Sequence, residues 1–147
     1  MSDFIQTVGW EVESKVQHGT GSDQWPMTWA TDDQLYDAWG DGHGWLQETE
    51  EAKSSMGVTK IGGSPPNLSG IDTYGVGPGS SFGKPDALIA LEDRILMFWT
   101  NGDSRFEPDS YSAVSLDSGK TWELGQERIF TYAPAGFRVR GICQFGK

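Results

Sequence analysis

Two carboxylates, Asp23 and Asp41, stand in this chain beside glycine, proline and tryptophan, in Asp23-Gln24-Trp25-Pro26 and in Gly40-Asp41-Gly42-His43-Gly44-Trp45. Glycoside hydrolysis asks for such a pair. One carboxyl protonates the leaving oxygen, and the other acts as base or nucleophile. His43, flanked by two glycines, is a third candidate for proton transfer. Lys84, in Gly83-Lys84-Pro85, is suited to pair with a carboxylate on a substrate. Trp25 and Trp45 offer flat apolar faces for a sugar ring. We therefore expect Asp23, Asp41 and His43 as catalytic groups, and Trp25, Lys84 and Trp45 as substrate contacts. Two alternatives use the same residues. A polysaccharide lyase would use His43 with a tyrosine to abstract a proton beside a uronate, with Lys84 neutralising the acid. A non-catalytic module would bind glycan or protein without a close carboxylate pair.

Positioning these residues falls to strands. Met27–Ala30, the turn Asp32-Asp33 and Gln34–Trp39 read as a hairpin, closed by Gly40-Asp41-Gly42. Ala87–Leu91, the turn Glu92-Asp93 and Arg94–Thr100 read as a second. Its strands are apolar on both faces, as in buried sheets. Residues 46–56 read as a polar loop or one loose helical turn. Gly62 to Asn67 reads as a chain break, Ile71–Val76 as a strand, and Phe137–Phe145 as a last strand. The first two hairpins share one pattern, strand, acidic pair, strand. In an antiparallel pair, Asp23, which precedes the opening strand, and Asp41 and His43, which follow the return strand, lie at the same end. Lys84 precedes the second hairpin at the equivalent end.

A third hairpin, Tyr111–Leu116 and Thr121–Leu124, surrounds the most informative motif of the chain. Ser115-Leu116-Asp117-Ser118-Gly119-Lys120-Thr121-Trp122 matches the Asp-box, Ser-x-Asp-x-Gly-x-Thr-Trp, at every defined position. Its physics is local. A short carboxylate at Asp117 accepts from N–H groups of its own turn. Gly119 takes the positive φ that the turn needs. Ser115 and Thr121 hydrogen-bond across the mouth, and Trp122 folds over it. We expect these five residues to be structural and to lie at the end opposite Asp23 and Asp41.

On this motif the chain resembles the Asp-box, sialidase-like β-propellers. The runs Asp23 to Trp29, Leu35-Tyr36, Gly40-Asp41-Gly42, Gly83-Lys84-Pro85 and Gln144 to Lys147 resemble the first blades of glycosidase-like propeller proteins. The resemblance implies an all-β fold of antiparallel blades and a carbohydrate ligand. Closed propellers need about four blades or more. Residues 1–147 supply about two and the start of a third, as one all-β domain or fragment. Self-association, or blades beyond Lys147, would then complete it. A sialidase would also need an arginine cluster for its substrate's carboxylate, and Arg138 and Arg140 supply only two members.

Composition bounds the rest. Hydrophobic residues make up 36% and charged residues 22%, which is ordinary for a soluble globular domain. The net charge of −10 disfavours nucleic acid and anionic membrane as partners. No run approaches the ~20 apolar residues of a membrane-spanning helix. The single cysteine, Cys143, forms no intrachain disulfide and no cysteine-based metal site, and we expect it packed in a strand. No metal and no cofactor is expected. Met1-Ser2-Asp3-Phe4 lacks the charged and apolar regions of a secretory leader, and a protein from which a leader had been removed would be secreted.

Overall fold

The structure, a computed structural model, describes residues 4–19, 21–45, 53–78, 83–101, 109–130, 139 and 141–144. These residues form two antiparallel four-stranded sheets, each a simple meander. The first contains β1 (Met27–Trp29), β2 (Leu35–Gly42), β3 (Ser54–Ser64) and β4 (Asn67–Pro78) in that order. The second contains β5 (Gly83–Ala90), β6 (Ile95–Asn101), β7 (Ser110–Ser115) and β8 (Glu123–Leu124). The only helical element among the described residues is one 3-10 turn, Val12–Ser14. The sheets are open, and neither closes on itself.

Alternation sets the core. Tyr36, Ala38, Met56 and Val58 turn inward from the first sheet, and Leu88, Ala90, Ile95, Met97, Trp99 and Ala113 meet them from the second. Leu88 and Ala90, Ile95 and Met97, and Ala113 and Ser115 are each two apart, the period that aims side chains at one face. β5 packs against β1, β2 and β3 and so lies at the join between the sheets. Thr28 contributes a polar tie across it, accepting at its hydroxyl from the Ala90 N–H at 2.8 Å. The outer face of the second sheet carries Ile89, Leu96, Phe98 and Val114, all half-buried. That explains why β5 and β6 read as apolar on both sides.

Both acidic-pair hairpins are present, and each is the first hairpin of its sheet. The Ala30 N–H donates to the Gln34 carbonyl at 3.0 Å, and the Leu91 N–H to the Arg94 carbonyl at 2.8 Å. Three expectations need correction. Residues 54–56 are not loop or helix but the start of the 11-residue β3; residues 46–52 lie outside the described residues. Gly62 to Asn67 does not break the chain. It carries the two-residue turn Pro65-Pro66, across which Ser64 pairs with Asn67. The glycine-rich, polar sequence of β3 conceals the strand, because only Met56 and Val58 on its inward face join the apolar core and glycines interrupt the alternation. Third, Val139 and residues 141–144 form no strand, and Cys143 is exposed rather than packed; residues 137, 138, 140 and 145 lie outside the described residues. Gln144 meets the sheet differently. Its side-chain amide donates to the Trp29 carbonyl at 2.8 Å and accepts from the Trp29 N–H at 2.9 Å, capping the open edge of β1.

Candidate functional site

The turn between Ser115 and Trp122 is closed by its own side chains. Asp117 accepts from the Thr121 N–H at 2.8 Å and from the Thr121 hydroxyl at 2.7 Å. The Ser115 hydroxyl donates to Asp117 at 3.0 Å and accepts from the Gly119 N–H at 2.9 Å. The Trp122 indole N–H reaches the Gly119 carbonyl at 3.1 Å and closes the turn. Gly119 has φ +78. Hydrogen bonds from Thr121, backbone first and then hydroxyl, hold the Asp117 carboxyl down to about 2. Leu116 and Ser118 lie beside Thr31, Asp32, Glu92 and Asp93, so this turn shares an end with the two acidic turns. The other end of the sheets is where Asp23, Asp41 and Lys84 stand.

There the backbone departs from ladder geometry. Asp23 and Gly40 exchange both of their backbone hydrogen bonds, each at 2.9 Å, and form an isolated bridge. Between that bridge and β1, Gln24 and Trp25 take φ of 77 and 52, and Asp41 takes 44 at the end of β2. Left-handed backbone at three non-glycine residues is uncommon and gathers at functional sites. Gly40 makes the approach feasible. A Cβ there would lie 2.7 Å from Oδ1 of Asp23 and 3.1 Å from Cδ of Lys84. Lys84 forms an ion pair with Asp41 and donates to the Ser55 carbonyl at 3.1 Å. The Ser55 hydroxyl in turn accepts from the Gly83 N–H at 3.0 Å. Partial burial pushes the Asp23 carboxyl up, and the Asp41 charge adds to this; Lys84 and Lys53 pull it down. The end thus holds one carboxylate tied to an ammonium and one carboxyl biased toward its protonated form.

The side chains of the other expected contacts make no hydrogen bond to this group. His43, half-buried in the turn after β2, makes no hydrogen bond to Asp23, Asp41 or Lys84. No described tyrosine accompanies it. Tyr36 donates to Asp32 at the Asp-box end, Tyr74 packs on Trp122, and Tyr111 stacks on Trp99. Trp25 and Trp45 come together, but over the outer face of the first sheet. There they share a cavity with His18 and Asp37. The indole of Trp25 lies against Gly19, and that of Trp45 against Gly70. His18 stacks on Trp45 with ring centres 4.4 Å apart and planes at 17°.

Sequence reasoning missed His18 and Asp37. Asp37 alternates with inward Tyr36 and Ala38 and is 3% exposed, and burial pushes its carboxyl up to about 7. A charged residue inside Leu35-Tyr36-Asp37-Ala38-Trp39, an otherwise apolar run, was the available signal. Arg138 and Arg140 lie outside the described residues. Among the described residues no group of three or more His, Cys, Asp or Glu side chains is placed to hold a metal ion. No described helix is long and apolar enough to cross a membrane. A scan against protein-family models finds no match to this chain, and a search of curated proteins finds no relative.

Proposed function

We propose that the chain contributes two blades to an Asp-box β-propeller and acts on carbohydrate as a glycoside hydrolase. The supporting observation for chemistry is the meeting of Asp23, Asp41 and Lys84 at one end of the joined sheets. Asp23, whose carboxyl is raised, suits the general acid. Asp41, paired with Lys84, suits the carboxylate that acts as base or nucleophile. For the fold, support comes from two successive four-stranded meanders, the Asp-box at the opposite end, and the half-buried apolar outer face of the second sheet, which a further blade would cover. The lyase alternative is less well supported, since no described tyrosine stands beside His43.

The test is a panel of aryl glycosides and polysaccharides incubated with the chain. A hydrolase releases new reducing ends without forming an unsaturated uronate. Asp23→Asn and Asp41→Asn should each lower the rate at least ~100-fold, the scale of general acid–base catalysis. Unsaturated product would overturn the hydrolase in favour of a lyase. Saturable glycan binding without turnover would leave a binding module.

A further inference from the structure

The outer face of the first sheet carries a cavity of about 270 Å³ that the carboxylate pair does not use. Trp25, Trp45, His18, Leu35 and Ile61 wall it, and Asp37 is its acidic group. β2 alternates, so Asp37 points away from the face on which Gly40 meets Asp23 and Lys84. The cavity is built rather than incidental. Each indole is seated on a glycine, Trp25 on Gly19 and Trp45 on Gly70, where a side chain would displace it.

Asp37 is 3% exposed, and its Oδ1 has no hydrogen-bond partner. The neighbours explain why. Across from it in β3 stands Thr59, whose one hydroxyl proton goes to Asp72 while its oxygen accepts from the Trp39 indole at 3.0 Å. Across from it in β1 stands Met27, which has no side-chain donor. The Trp25 indole N–H is directed to the Ser22 carbonyl at 3.3 Å. A buried carboxyl oxygen without a hydrogen-bond partner is costly, and a ligand bearing an N–H group relieves that cost. A positive charge on the ligand also meets the carboxylate, beside the indoles that line the same cavity. The net charge of −10 favours the approach of a cation from solution.

We propose that this cavity binds a protonated primary amine, with the ammonium on Asp37 and the carbon body against Trp25 and Trp45. The site is independent of glycan cleavage at Asp23 and Asp41.

Benzylamine and its neutral isostere, benzyl alcohol, titrated into the whole chain test it by tryptophan fluorescence and by amide shifts. Benzylamine should saturate and should bind at least about tenfold more tightly than the alcohol. Asp37→Asn should abolish that preference, and Trp45→Ala should weaken the amine by about tenfold. Equal binding of the two probes, or no saturable binding of benzylamine, would overturn the proposal. An undiminished preference for the amine in Asp37→Asn would overturn the role of Asp37. The comparison of probes uses the unaltered chain and does not depend on any variant folding.

Discussion

Asp41 at the end of β2 is ion-paired with Lys84 at the start of β5, so one contact joins the two sheets. Lys84 also reaches the Ser55 carbonyl of β3 at 3.1 Å and so pins three strands. The pair is mostly shielded, with side-chain exposures of 17% for Lys84 and 33% for Asp41. It falls between surface pairs and buried ones. Lys84→Met keeps the carbon stem and removes the charge, and should cost about 1–2 kcal/mol. Chemical denaturation with an unchanged m-value measures it. A midpoint equal to that of the unaltered chain would show that the pair does not hold the sheets together.

The same substitution should move the pH dependence of turnover. Lys84 lowers the Asp23 pKa, against the raising effects of burial and of Asp41. A general acid loses activity as pH rises through its pKa. Removing the ammonium lets the Asp23 carboxyl rise further, so the alkaline limb of the rate profile should shift to higher pH in Lys84→Met. A limb that stays in place or moves to lower pH would argue against Asp23 as the acid.

The sequence foretold the hairpins because their signals are local. Acidic turns between β-prone runs mark β1–β2 and β5–β6, and the Asp-box marks β7–β8. The meeting of Asp23, Asp41 and Lys84 was legible too, since antiparallel pairing fixes which strand ends are neighbours. β3 was not legible, because Gly57, Gly62 and Gly63 remove the alternation on which strand reading depends. Sequence adjacency places Trp25 and Trp45 beside the carboxylates. Positive φ at Gln24 and Trp25 sends that stretch of chain to the outer face instead, and sequence does not report φ at such residues. Asp37 shows in the sequence only as a charge inside an apolar run, which does not reveal that it is buried. Its burial depends on cover from His18 and Trp25, which tertiary structure alone brings over β2.

The turn between Ser115 and Trp122 should behave as a structural staple. Ser115 is 1% exposed, and its hydroxyl is the acceptor for the Gly119 N–H. Ser115→Ala leaves that donor unmet and should cost about 1–3 kcal/mol. The acid limb of stability supplies a second reading of the same turn. Asp117 is held at about 2 in the folded chain, below its ordinary 3.8. Its contribution is therefore full above the ordinary value and is lost as pH falls toward about 2. Asp117→Asn should remove that part of the acid limb, and thermal melts across that range measure it. Melting temperatures of both variants within error of the unaltered chain would set the staple aside.

Asp37 should act in the opposite sense. Its folded value of about 7 lies above the ordinary 3.8, so the folded chain retains a proton that the unfolded chain has released. Folding is then penalised progressively as pH rises between those two values, and the full penalty applies above about 7. The span corresponds to a loss on the order of 2–4 kcal/mol. Asp37→Asn has nearly the same shape and no charge, so it should be more stable than the unaltered chain at about pH 8 and nearly equal at about pH 4. His18 lines the same cavity, and Asp72 lies beyond Thr59, but both are present in the two proteins, and the difference between their curves isolates Asp37. Denaturation midpoints collected from about pH 4 to about pH 8 give that difference directly. A difference that does not grow with pH would mean that the carboxyl finds a partner in solution, and the cavity would then have no orphaned oxygen to offer an amine.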